Sequence, residues 1–379
     1  MCGIVGYVGY RDATDYLMEG LRRLEYRGYD SAGIATMSPQ GDVSITRAVG
    51  PINALASEMT ESSDTCIGIG HTRWATHGAP TESNAHPHTS GNGAVTIVHN
   101  GVIENYQLIK QRLQQQGYEF QSVTDSEVIA HLISEFLGRG MAPLKATQAA
   151  LARLDGAFAL GVVFAGEHDF LIGARRGSPL CIGWGEGEMY LGSDALALAP
   201  LSERISYLEE GDCAALDRAG AVVHDHNGDR VERPVRVTAH SGALIGKGNH
   251  RHYMSKEIHE QPSVIGETLN AFFNPVDRSI RLPELPFELG AVPRITILAC
   301  GTSYYAALVA KYWFERIAEI PVDVDVASEF RYRAPPMAAP ASGGSPGSDA
   351  ESACEQAAMR RLAAIRNKKR GMTVGFMVC

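Results

Sequence analysis

The chain has 379 residues, 45% of them hydrophobic, which is enough for two compact domains that each bury a core and excludes disorder of the whole chain. Its 34 basic and 43 acidic residues give a formal charge of -9, a field that repels nucleic acid and anionic membrane surfaces, so a phosphorylated ligand must find a local positive site. The seven cysteines are odd in number, scattered and never spaced C-x-x-C, which argues against a disulfide framework or a zinc knuckle and for a reducing cytoplasm.

Residues Gly3 to Gly9 read as a buried strand, and Leu17, Leu21 and Leu24 recur at helical spacing before Gly28 supplies a stop. The apolar run Ile4 to Val8 is short, broken by glycine and followed by Arg11, Asp12 and Asp15, so it lacks the order of a signal peptide. No stretch approaches the ~20 apolar residues of a membrane span, and a soluble cytoplasmic protein is expected. Strands are expected at Cys66 to Gly70, Ala94 to His99, Ala157 to Phe164, Phe170 to Ala174 and Glu188 to Leu191, with helices at Asn105 to Gln116, Ser126 to Leu137 and Pro143 to Leu154. Many strands with few helices between them predict an α+β domain over 1–236, built as stacked antiparallel sheets covered by helices.

Residues 237–252 are polar and glycine-rich and read as a linker. Beyond them, 253–379 carries a helix at Tyr253 to Phe273, a strand at Arg294 to Ala299, a helix at Ser303 to Ile317 and a strand at Val322 to Val326. This is a βαβ unit, the start of a doubly wound parallel α/β sheet. From Ala334 to Ser352 the chain is rich in Ala, Pro, Gly and Ser with no apolar period, which cannot make a core strand. A helical and then strand-like signal returns from Leu362, and the chain is expected to stop inside a growing sheet.

A cysteine at position 2 says little alone, since it also reads as the first residue of a strand. Methionine before a small residue is usually trimmed, which would leave a thiol and a free α-amine on one residue. With an amine pKa of about 7.7 to 8.0 and a thiol of about 8.5, moving the proton from sulfur to nitrogen costs only about 1 kcal/mol, so the nucleophile would carry its own general base. The rest of the sequence gives Cys2 its weight. MCGIVGYVG, LEYRGYDSAGIA, HTRWATHG, NAHPH, HNGVIEN and TDSE follow in order. Together they resemble the class II glutamine amidotransferase domain, an Ntn-hydrolase-like αββα fold, in the form found in the glutamine–fructose-6-phosphate aminotransferase family.

The resemblance implies that Cys2 attacks the side-chain amide of L-glutamine while its amine shuttles protons, and that the Asn100 amide and Gly101 backbone N–H form the oxyanion hole. It implies that Arg73 holds the substrate α-carboxylate with help from Thr76 and His77, that Asp125 pairs the α-ammonium, and that Arg27 and Trp74 lie in loops that close over the site. It calls for no cofactor. Two other readings stand beside these roles. Thr124, Asp125 and Glu127 also fit a capping box at a helix start. His71, His77, His86, His88 and His99 could be pictured as metal ligands, but they lack a carboxylate or cysteine at ligand spacing, glutamine hydrolysis needs no metal, and a loop held by satisfied histidines is the expectation. Cys66, Cys181 and Cys213 sit in apolar surroundings and read as inert core residues.

Downstream, MSKEIHEQP at Met254 to Pro262 resembles the segment preceding the family's first sugar-isomerase (SIS) domain, and Gly301, Thr302 and Ser303 open a helix after a strand, where a sugar phosphate could bind. The family's next loop, close to S-Q-S-G-E-T, has no counterpart in residues 335–361, so a locally replaced segment and a truncated domain are expected. The family's isomerase acid, ring-opening histidine and Schiff-base lysine come from a second such module and are assigned to no residue here. Glutaminase chemistry is therefore expected of this chain and use of fructose 6-phosphate is doubtful, with a homodimer left open. The alternatives are a catalytically silent remnant that binds glutamine or a partner, and another class II amidotransferase. The latter would need a phosphoribosyl-binding or ATP-binding loop that the sequence lacks.

Overall fold

The computed structural model describes residues 2–59, 65–75, 78–237, 250, 252–274, 279–280, 292, 294–333 and 373–378. The chain divides into two compact units, Met1–Glu257 and Ile258–Cys379.

In the first unit the elements run β1 (Gly3–Val8), α1 (Ala13–Leu24), β2 (Ser31–Met37), β3 (Val43–Val49), α2 (Ile52–Glu58), β4 (Ile67–Arg73), β5 (His88–Thr89), β6 (Val95–Ile103), α3 (Tyr106–Gln115), α4 (Glu127–Gly138), α5 (Pro143–Leu151) and β7 (Gly156–Phe164). They continue with β8 (Leu171–Arg176), β9 (Cys181–Trp184), β10 (Met189–Gly192), α6 (Ala195–Leu198), β11 (Arg204–Tyr207), β12 (Cys213–Asp217), β13 (Gly220–His224), β14 (Arg230–Val231) and β15 (Val235–Val237). They form two antiparallel sheets. One has eight strands in the order β15-β11-β9-β10-β1-β4-β2-β3, and the other has seven in the order β14-β13-β12-β8-β7-β6-β5.

Three apolar clusters show how the layers stack. Ile4, Val8, Ile67 and Ile69 of the first sheet meet Val98, Ala159, Val163 and Leu171 of the second between the sheets. Val5 and Tyr7 point the other way, against Leu17, Leu21 and Leu24 of α1. On the far face of the second sheet, Ile97, Leu160 and Val162 pack on Val128, Ile129, Leu132 and Ile133 of α4. The expected αββα sandwich is therefore present, and the period-2 alternation within β1 explains why that strand reads as a continuous apolar run: both its faces are covered.

The sequence reading missed β2, β3, α2, β9 and β11 to β15. The first of these is informative: Ala32, Gly33 and Ala35 are too small to signal a strand, yet Gly33 is required, because a Cβ there would stand 2.2 Å from the His86 carbonyl oxygen. The loop that carries His86 and His88 is clamped across this hairpin by the Arg47 guanidinium, which donates to the Pro87 carbonyl.

Helix α7 (Tyr253–Phe272) begins in the last residues of the first unit and continues into the second, where the short antiparallel pair β16 (Phe273–Asn274) and β17 (Ser279–Ile280) follows. Then come β18 (Arg294–Ala299), α8 (Gly301–Trp313), β19 (Val322–Val326), α9 (Ala327–Arg333) and β20 (Thr373–Val378). Strand β18 is central and pairs in parallel with both β19 and β20, so the expected βαβ unit forms. Val292, Ile295, Ile297, Ala307 and Val322 make its core. Residues 335–361, where the sequence departs from the family pattern, lie outside the described residues. Among the described residues no helix is long and apolar enough to cross a membrane.

Helix α1 lies so close to β1 that a Cβ on Gly20 would stand 2.7 Å from Cγ1 of Val5. Alanine gains about 1 kcal/mol of helix propensity over glycine, but overpacking at such a contact costs about 1 to 3 kcal/mol. We expect Gly20→Ala to lower the free energy of unfolding in a denaturant titration. A variant as stable as the parent would show that α1 can lift from the sheet without loss.

Candidate active site

Strand β1 runs antiparallel to β4 with Gly3 opposite Thr72, which brings Cys2 out at the sheet end beside Arg73 and Trp74. The Trp74 backbone N–H donates to Cys2 Sγ at 3.2 Å, and the Trp74 carbonyl lies 3.5 Å from the same sulfur. Burial pushes the Cys2 thiol up from its ordinary value, the Trp74 N–H and the Arg73 charge pull it down, and Asp30 pushes it up. The turn at residues 27–30 lies directly on this segment. A Cβ on Gly28 would stand 2.7 Å from the Arg73 carbonyl carbon and the Trp74 nitrogen, so glycine is needed for the approach. Asp30 closes the contact: its N–H donates to the Arg73 carbonyl at 3.0 Å, and its carboxylate accepts from the Ala75 N–H at 2.8 Å.

The second sheet supplies the facing wall. Along β6, Val98 points into the inter-sheet core, and two residues on Asn100 does the same, with its Nδ2 donating to the Cys2 carbonyl at 3.1 Å. Asn100 Oδ1 lies 2.9 Å from Nε2 of His71, which comes across from β4, where it follows Ile69 on the inter-sheet face. The same His71 nitrogen lies 3.0 Å from the His99 carbonyl. Gly101 has φ +137, and a Cβ there would stand 2.0 Å from the Ala157 carbonyl of β7, so no other residue fits this backbone.

Arg73 is 4% exposed, and its guanidinium donates to the carbonyls of Gly78 at 3.1 Å and Ala79 at 3.3 Å. Burial lowers its pKa, while Cys2, Asp30 and Asp125 act in the opposite direction. Asn84 braces this loop, donating to the Ala79 carbonyl and accepting from the Val123 N–H. Asp125 is buried, and its carboxylate accepts from the Ile103 N–H at 2.7 Å, which ties the loop before α4 to the end of β6. The capping box considered from sequence does not form. The cap residue of α4 is Ser126, whose side chain makes no cap hydrogen bond, and the Glu127 carboxylate turns back to accept from the N–H groups of Gln121 and Ser122. Ser126 Oγ instead contacts Nδ1 of His99 at 2.8 Å.

The structure thus gathers Cys2, Arg73, Trp74, Asn100, Gly101 and Asp125 around one end of the sandwich. Trp74 is 45% exposed, with its ring edge-on to Tyr29 at 5.8 Å. Arg27 sits on the adjacent 3₁₀ turn, where its guanidinium is paired with Asp194 and contacts the Tyr26 hydroxyl. Thr76 and His77 lie outside the described residues. Gly301, Thr302 and Ser303 form the first turn of α8 in the other unit, with Gly301 at φ +57. The sequence reading passed over Asp30 and Asn84. Asp30 stood inside the quoted LEYRGYDSAGIA motif, but nothing local marks a carboxylate that will brace residues 45 positions away. Among the described residues no three side chains converge as metal ligands, and the rings of His71, His86 and His88 pack in a row, tilted at 4.2 Å and then edge-on at 4.5 Å.

A sandwich of two antiparallel sheets with a cysteine at the head of its central strand, facing an Asn-Gly pair, defines an Ntn-type class II glutamine amidotransferase domain. The family model "Glutamine amidotransferase domain" matches residues 71–200, and "SIS domain" matches 288–341. The chain is similar in fold to a glutamine phosphoribosylpyrophosphate amidotransferase from B. subtilis, at TM-score 0.53 and 21% identity over 85% of this chain and 65% of that one. Among curated proteins, the glutamine–fructose-6-phosphate aminotransferase (isomerizing) of Gluconobacter oxydans is 51% identical over 338 residues, 89% of this chain and 55% of that protein. That of Mesorhizobium japonicum is 47% identical over all 379 residues, 61% of that protein. The chain is similar over nearly all of its length to glutamine–fructose-6-phosphate aminotransferases, and it spans a little over half the length of these relatives.

The histidine stack makes stability depend on pH. Burial holds the pKa values of His71 and His88 at about 3 and that of His86 well below its ordinary value. An unfolded chain takes up these protons below about pH 6.5, whereas the folded chain does not, so stability present above that pH is lost as pH falls towards 3. Each histidine contributes a slope of up to about 1.4 kcal/mol per pH unit. We expect unfolding free energies measured at pH 7, 6 and 5 to fall steadily, and His86→Phe to flatten that fall by about one proton's worth. An unchanged slope in His86→Phe would mean that His86 takes up its proton in the folded state.

Proposed function

We propose that this chain hydrolyses L-glutamine through Cys2, exposed as the N-terminal residue after removal of Met1. The observation that carries the reading is the approach of two donors from different sheets, the Trp74 N–H on the sulfur and the Asn100 amide on the Cys2 carbonyl. In this reading the thiolate adds to the substrate's side-chain amide carbon, and the Cys2 amine takes the thiol proton and passes it to the departing ammonia. Asn100 and the Gly101 N–H stabilise the tetrahedral oxyanion, water then hydrolyses the thioester, and glutamate leaves. The buried Arg73 guanidinium is suited to the α-carboxylate and Asp125 to the α-ammonium, with Thr76 and His77 adding hydrogen bonds. Trp74 and Arg27 belong to the segments that cover the substrate, and Arg27 would exchange or share its Asp194 contact as they close.

Delivery of the ammonia to fructose 6-phosphate is the activity named for the relatives and is proposed only for the whole protein of this type. Gly301 to Ser303 would hold the sugar phosphate there, and dimerisation and a cytoplasmic location belong to the same proposal. With the purified chain, we expect glutamate release from glutamine and none from Cys2→Ala. Asn100→Ala should lower kcat by about 10²- to 10³-fold, the usual effect of removing one oxyanion donor, worth about 2.7 to 4 kcal/mol. Glutamate release unchanged in Cys2→Ala would sink the mechanism. Glucosamine 6-phosphate made above background from fructose 6-phosphate by this chain alone would extend the activity beyond hydrolysis.

A further inference from the structure

We infer that His71 is a positioning residue for the oxyanion hole: as a neutral Nε2–H imidazole anchored on the His99 carbonyl, it fixes which end of the Asn100 amide faces Cys2. The inference rests on the proposed role of Asn100. A primary amide has an oxygen end and an NH2 end of almost equal size, so its shape does not decide how it sits in a pocket. In the wrong orientation Asn100 would present an oxygen to the Cys2 carbonyl and to a developing oxyanion, repelling both.

The His99 carbonyl decides the matter, because a backbone oxygen can only accept. His71 Nε2 stands 3.0 Å from it, so that nitrogen must carry the proton. The same N–H then points between the His99 carbonyl and the Asn100 side chain 2.9 Å away, which admits only the amide oxygen. The NH2 end is thereby turned to the Cys2 carbonyl, 3.1 Å distant, with its second hydrogen available to a ligand. The other ring nitrogen, Nδ1, is buried with no hydrogen-bond partner, so neither the Nδ1–H tautomer nor the imidazolium has an acceptor to receive its proton. His71 is fully buried, and its ring packs at a tilt against that of His86, which disfavours the charged form further. Its place on β4, opposite Ile4 and Gly33 and one turn of the pleat beyond Ile69, makes it the polar end of the inter-sheet core.

Nitrogen-15 NMR of histidine-labelled chain tests the orientation directly, and we expect a neutral Nε2–H signal for His71 from pH 5 to 8. In steady-state assays His71→Phe, which keeps a ring in the stack but removes the donor, should lower glutaminase kcat roughly 10- to 100-fold, as misplaced catalytic groups do. KM and the rate of Cys2 alkylation by iodoacetamide should stay within about twofold, because substrate and thiol contacts are untouched. His71→Gln, whose amide can donate from nearly the same place, should restore most of kcat, and it serves as the working variant if His71→Phe does not fold. An Nδ1–H or imidazolium signal in an active wild-type chain overturns this inference alone. So does an unchanged kcat in folded His71→Phe, or a parallel loss of kcat and alkylation. Absence of glutamate release from the wild type overturns the hydrolase reading and this one together.

Discussion

The register of β1 against β4 is the constraint from which the rest of the site follows. With Gly3 opposite Thr72, the inter-sheet face of β4 reads Ile67, Ile69, His71 and Arg73, an apolar core that grades into one neutral and one charged polar group at the point where Cys2 emerges. A slip of one residue would send that whole row towards α1 and leave Cys2 facing the wrong side. The register is secured from both faces of β1, by Ile4 and Val8 between the sheets and by Val5 and Tyr7 under α1, so the same burial that stabilises the domain also sets Cys2 in place.

Charge at the site is arranged around that geometry. Arg73 is buried with Asp30 and Asp125 as its nearby acids, and each of these groups is also held by backbone: Arg73 on the carbonyls of residues 78 and 79, Asp30 on the Ala75 N–H, Asp125 on the Ile103 N–H. Charged groups held by backbone hydrogen bonds in this way need little reorganisation to meet a ligand. The histidines beneath them remain neutral because burial outweighs every favourable contact, which makes them a layer of oriented dipoles rather than a second cationic cluster.

Three glycines explain how two sheets and two loops approach so closely here. Gly28 lets one turn rest on the Arg73–Trp74 peptide, Gly33 admits the His86 carbonyl, and Gly101 passes β7 where any side chain would strike the Ala157 carbonyl. Each sits where backbone meets backbone, and a Cβ would force apart segments that carry Cys2, the histidine stack and Asn100.

Much of this was legible in the chain itself. Period and composition placed β1, α1, β4, β6, β7, β8 and β10, the helices of the second layer and the βαβ unit of the second domain. The order of MCGIVGYVG, HTRWATHG, HNGVIEN and TDSE pointed to the groups of the proposed site. The short strands β9 and β11 to β15 and the small-residue strand β2 escaped, because their apolar pattern is supplied by partners in the sheet. The capping box read into Thr124 to Glu127 did not form, since the Ile103 N–H claims Asp125 and backbone upstream claims Glu127. The sequence by itself determined which chemical groups the chain carries and the periodicity that folds them into layers, because those are properties of neighbours along the chain. Only the tertiary structure decided that Asp30 braces the Arg73 loop, that Arg27 pairs with Asp194, and that a backbone carbonyl at residue 99 sets the proton on His71 and so the face of Asn100, because hydrogen bonds between distant segments exist only once the two sheets have been pressed together.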